Sequence, residues 1–151
     1  MSDTLIQTLK ILFRRDLNQL KREIEQYGRE SAIWCVENEI TNSAGNLCLH
    51  LIGNLNTYIG GELGKTGYVR NRELEFSLSD VPRTELLAKI DDTIRVVDQA
   101  LDKVTSAQLE EEYPILVFEK KTSTGYFLVH LSTHLGYHLG QINYHRRLLD
   151  S

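Results

Sequence analysis

Two long stretches of this chain contain no charged side chain. From Thr41 to Gly61, and again from Thr122 to His145, there is no Asp, Glu, Lys or Arg. Charged residues nonetheless make up 25% of the 151 residues, so the remaining segments carry all of them. Each stretch reads as a helix, and a helix without charge on any side belongs in an interior rather than on a surface. Neither reads as a membrane span, because His, Asn, Gln, Ser and Thr are scattered through both. The chain must therefore fold so that other elements wrap these two.

The wrapping elements are legible in the apolar spacing. Leu5, Leu9, Leu12, Phe13, Leu17, Leu20, Ile24 and Tyr27 recur at three and four, with Lys10, Arg14, Lys21, Arg22 and Glu25 on the other face, and Gly28 as a stop. A connector with Trp34 as an apolar plug follows. The second helix opens at Asn42 or Ser43, either of which can cap free N–H groups, and reaches about Ile59. Residues 61–81 show no clear period and form a long connection, of the kind that is often functional. The third helix starts near Pro82, with Leu86, Ile90, Ile94, Val97, Leu101 and Val104 as its stripe. A short extended excursion is expected around Tyr113, Ile115 and Val117, and the fourth helix runs from about Ser123 to Leu149. Four helices with one apolar stripe each can bury those stripes only against one another. The expected fold is all-α: a four-helix bundle, in one domain over residues 1–151.

Composition narrows the function. Seventeen Lys and Arg against twenty-one Asp and Glu give a net charge of −4, without the basic footprint of a nucleic-acid binder. The two cysteines, Cys35 and Cys48, form no C-x-x-C pair, and the first sixteen residues hold no uninterrupted apolar run of the kind a secretory signal needs. A cytoplasmic protein with reduced thiols and a small-molecule substrate is expected, with no nucleic-acid or membrane partner.

All five histidines, His50, His130, His134, His138 and His145, fall in the two charge-free segments. His130, His134 and His138 are four apart, which stacks them on one helical face. Imidazoles one turn apart can reach one transition-metal ion, and a third from a neighbouring helix would complete a three-His site with an open position. Only His50 can supply that third ring; which pair on the last helix joins it is left open by the spacing. No Asp or Glu lies on either segment, so an H-E-x-x-H metalloprotease arrangement is excluded. A general base would come from Arg70, Arg72, Glu73 and Glu75 in the long connection, a cluster that otherwise reads as solvated surface, or from hydroxide at the ion itself.

The segments NSAGNLCLHLIGNL (42–55), VRNRELEF (69–76) and HLSTHLGYHLGQI (130–142) together resemble the DinB/YfiT-like family of metal-dependent bacterial proteins, over essentially the whole chain. The resemblance implies a divalent metal ion, zinc or nickel, held by His50, His134 and His138, with His130 as an extra imidazole. Some members are thiol-dependent S-transferases that work with low-molecular-weight thiols, so it implies a transferase acting on small electrophiles, with a small hydrolase or a non-catalytic metal-binding module as the alternatives. Members often pair, which implies a homodimer. Beside these ligands, Asn54 and Gln141 are expected to orient a ligand or contact substrate. Tyr137 and Tyr144 read as core or interface aromatics, and Cys48 as a small core residue. Gly45, Gly53, Gly136 and Gly140 weaken their helices and call for a packing reason, through close approach or space for a ligand.

Overall fold

The computed structural model describes residues 3–150, and among them every regular element is helical. Helix α1 spans Thr4–Gln26, and its first turn is capped by the Asp3 carboxylate, which accepts from the Leu5 amide at 2.8 Å. A 3₁₀ turn, Glu30–Trp34, leads to α2, Ala44–Leu55, whose cap is Ser43 rather than Asn42. The expected continuation of α2 to about Ile59 is a π-helical turn, Asn56–Gly61. The connection after it contains a short helix, α3, Arg72–Ser77. Helix α4 covers Arg83–Asp102, α5 covers Ser106–Glu110, and α6 covers Thr124–Leu149 with Ser123 as its cap.

The apolar stripes meet as their spacing predicts. Leu9, Phe13, Leu17, Leu20 and Ile24 of α1 are buried, with Ile6 in place of Leu5; from the third stripe Leu86, Ile90, Val97, Leu101 and Val104 are buried. Together with Leu51, Leu55, Leu128, Leu131 and Leu135 they form one core. Helix α1 packs against α4 and α6, and α2 lies against α4, α6 and α3. Burying such a side chain contributes about 1.5–3 kcal/mol, so these seams hold the helices without help from any ligand. The expected extended excursion differs: around Pro114–Lys121 the chain bends without forming a strand, and a lone bridge joins Glu112 to Ser123. Its ends are pinned by the Tyr113 amide donating to the Thr122 carbonyl and the Thr124 amide to that of Glu111, both at 2.8 Å.

Helix α6 is tied down at its C-terminal end by buried polar contacts. Glu23 of α1 accepts from Asn143 and Arg146, each at 2.8 Å. The Tyr27 hydroxyl meets Nδ1 of His145 at 2.6 Å, while Nε2 of that ring meets the Cys35 carbonyl at 2.8 Å. The carbonyl can only accept, so Nε2 carries the proton and the tyrosine donates. His145 thus serves the fold. Its distance from the other four histidines follows from that task.

One expectation about the charge-free segments fails. Helix α2 is interior, but α6 is not: Tyr137 is 67% exposed and Tyr144 61%, with Tyr126, Val129 and Leu148 also facing outward. These tyrosines are not core residues. Uncharged composition left the outer face of α6 undecided, since nothing else among the described residues covers it.

Candidate metal centre

The site begins with the way α3 docks on α2. Asn46 donates its side-chain amide to the carbonyls of Glu75 and Leu78, at 2.9 and 2.8 Å, which fastens the end of α3 to the first turn of α2. Three residues beyond His50, Gly53 leaves a gap in the surface of α2. A Cβ placed there would lie 1.8 Å from Oε2 of Glu75. Only glycine allows that carboxylate to lie against the helix. Gly45 serves a comparable purpose, since a Cβ there would sit 2.5 Å from the Trp34 ring. Gly136 and Gly140 have no such neighbour: an added Cβ would meet nothing within 4 Å, so the packing reason expected for them is not found.

Glu75 is only 6% exposed and is fully engaged. Arg70 donates to it through Nε at 2.8 Å and through Nη2 at 3.0 Å, a two-pronged grip on both oxygens. Nδ1 of His50 lies 3.1 Å from Oε1. A carboxylate accepts, so Nδ1 of His50 carries the proton and its Nε2 lone pair points the other way. On α6 the partner is different: Nδ1 of His138 meets Oε1 of Gln141 at 2.7 Å, which again turns a bare Nε2 inward.

These inward nitrogens converge. Nε2 of His134 lies 3.3 Å from that of His50 and 3.1 Å from that of His138. The three residues each offer a ring nitrogen, all within 4.8 Å of one another, and could hold a metal ion. Tetrahedral Zn–N bonds of about 2.0–2.1 Å set neighbouring nitrogens about 3.3 Å apart, close to the two separations from His134. The proton count argues the same way. With Nδ1 protonated on His50 and His138, His134 can bring at most one hydrogen for two lone pairs, so the cluster as a set of neutral rings leaves lone pairs facing each other. A cation is what such a donor set fits. Burial, then the neighbouring His138 and His50, brings the His134 pKa down to about 4, and burial also lowers that of His50. Rings held neutral in this way are ready to donate lone pairs at neutral pH.

The other expected residues fall in distinct places. His130 stands one turn before His134 but outside the cluster, packed between Phe118 and Phe127 with ring centroids at 4.8 and 6.0 Å. Asn54 makes no hydrogen bond to any of the three rings, and its buried Oδ1 has no partner among the described residues. Both line a cavity of about 170 Å³ that opens beside His50 and His134, with Tyr58, Arg70, Arg72, Val117, Phe127 and Leu131 as the rest of its wall. No carboxylate lines it. Glu75, offered by its segment as a base on a solvated surface, is instead buried behind His50 as the residue that orients that ring. Asn46 was missed entirely. Gly53 was the one sequence signal for a close approach here, a glycine mid-helix beside a lone histidine. Cys48 is fully buried, and burial pushes its thiol up to about 12, so it is a core residue and no nucleophile.

No helix is long and apolar enough to cross a membrane among the described residues. No curated protein matches the chain. A family model described as "Protein of unknown function (DUF1572)" matches residues 1–151, and this all-helical chain with its three-histidine cluster belongs to that family.

Proposed function

We propose that the chain is a divalent-metal-dependent protein of the DinB/YfiT-like, four-helix-bundle kind, with His50, His134 and His138 as the ligands. The convergence of three Nε2 atoms, two of them fixed by Glu75 and Gln141 behind the rings, carries this reading. Metal-ligating histidines characteristically donate their other N–H to such a partner. A zinc or nickel ion bound there would lower the pKa of a thiol or water sharing its shell, supplying a nucleophile at neutral pH.

The chain's own groups suit a reaction in the adjoining cavity better than an inert structural site. A closed site needs a fourth protein donor, and neither His130 nor Asn54 joins the cluster, so a coordination position is left toward the cavity. His130 has no hydrogen-bond partner on its ring among the described residues and lines the same cavity, which suits it to take the nucleophile's proton. Apolar Val117, Phe127 and Leu131 exclude water from one wall. Transfer of a low-molecular-weight thiol to a small electrophile is the preferred reaction, with hydrolysis by activated water second. The homodimer would form on the outward face of α6, which carries no charge from Thr124 to Tyr144. Light scattering on the purified chain should give about twice the 17.4 kDa of one copy; a single-copy mass removes that part of the proposal.

The decisive experiment replaces His134 with Ala and follows zinc binding by titration and folding by circular dichroism. Stoichiometric metal in the wild type and none in the variant, with helicity kept, is the expected result. A variant that retains its metal shows that the ligand set is wrong. One that unfolds shows that the ion is structural and favours a non-catalytic module.

A further inference from the structure

The wall of the cavity beside the imidazoles is not electrically balanced. Arg70 is neutralised by Glu75, which it holds with both prongs. Arg72 is not: it has no carboxylate within ion-pair distance among the described residues. Its guanidinium lies over the Phe76 ring at 5.3 Å, and that ring in turn lies 4.9 Å from His50. Stacking on Phe76 therefore holds a lone positive charge at the cavity edge, close to a ring of the candidate metal centre. Asn54, 7% exposed, also lines this space, with its carboxamide oxygen buried away from it. Val117, Phe127 and Leu131 supply an apolar part of the wall.

From these features we infer that the cavity binds a small monocarboxylate, with its carboxylate on Arg72 and its apolar carbons against Val117 and Leu131. The volume of about 170 Å³ is well below the ~300–1,000 Å³ of sites for drug-sized molecules, so the ligand has few heavy atoms. A planar guanidinium fork matches a carboxylate in two parallel hydrogen bonds, and one free cation balances one negative charge. The inference rests on the proposed metal site only in placing the far end of the molecule toward the ion; the anion contact itself needs Arg72 alone.

The test uses butyrate and its neutral isostere butyramide, titrated into wild type and Arg72→Gln, each with and without cobalt(II). Arg72 is exposed, so the variant should fold as the wild type does. Cobalt binding, read from its visible spectrum before either probe is added, judges the metal reading separately. Butyrate should bind the wild type about tenfold more tightly than butyramide, and Arg72→Gln should lose about that factor for butyrate alone while its cobalt affinity is unchanged. Equal butyrate affinity in the two proteins, as for a carboxylate that merely ligates the ion, overturns the inference. So does butyramide binding as well as butyrate. Arg72-dependent butyrate binding without any cobalt uptake supports the carboxylate site and removes the metal one.

Discussion

Helices α2 and α6 share the same unusual composition and supply the same kind of ligand, yet they occupy opposite situations. Eleven of the twelve residues of α2 are buried, with α3, α4 and α6 around it. Only eight of the twenty-six residues of α6 are buried, on the side that faces α1 and α2. The glycines follow the same division. In α2 they admit a neighbour, Trp34 at Gly45 and Glu75 at Gly53; in α6, Gly136 and Gly140 face open space. Lack of charge thus has two meanings: in α2 it reflects neighbours on all sides, and in α6 it accompanies a face that stays exposed.

The sharpest way to break this comparison is to make one substitution on both helices. Gly53→Ala drives a methyl into the Glu75 carboxylate, which is held by Arg70 and His50 and cannot swing away freely; a loss of about 2–3 kcal/mol is expected. Gly136→Ala should instead add about 0.5–1 kcal/mol through helix propensity alone. Urea unfolding of the two variants reads both, and equal effects would undo the distinction. A smaller effect should separate the two ways the ligands are supported. Replacing Glu75 by Gln keeps an acceptor for His50 but weakens it, and zinc affinity measured by chelator competition should fall about 10–100-fold. An unchanged affinity would make Glu75 a purely structural residue.

The third prediction concerns the far end of α6. Burial lowers the pKa of His145, with its bond to the Cys35 carbonyl opposing only in part. The unfolded chain then takes up the proton first, so this group's contribution to stability is complete above the ordinary histidine value of about 6.5 and declines as pH falls below it. Metal-free wild type should lose stability between pH 7.5 and 5.5, and His145→Gln should lose less over the same interval. An identical loss in both would place the sensitivity elsewhere.

Sequence reasoning succeeded where the signal is local. Ser43 and Ser123 mark helix starts because a capping hydroxyl acts within three residues, and the stripes of α1 and α4 repeat often enough to read. It failed where the cause lies far along the chain. Helix α3 is six residues long, too short to show a period. Glu75 reads as a solvated charge because its partners are His50, 25 positions earlier, and a glycine whose meaning appears only when α3 docks. The spacing pointed to His50 with two of His130, His134 and His138, and only the family resemblance implied which two; what orients His50 was not legible.

The reach of that set along the chain has a consequence in time. His50 and His134 are 84 positions apart, and α6, which carries two of the three rings, leaves a ribosome that adds about 5–20 residues per second well after α2. Until α6 has been made and has docked, one imidazole faces a gap and cannot hold an ion against competing ligands. Loading of the proposed site would therefore follow synthesis of α6, and a chain stalled or clipped before it would stay empty however much metal surrounds it. Occupancy of that site would then report that α6 has docked on α2.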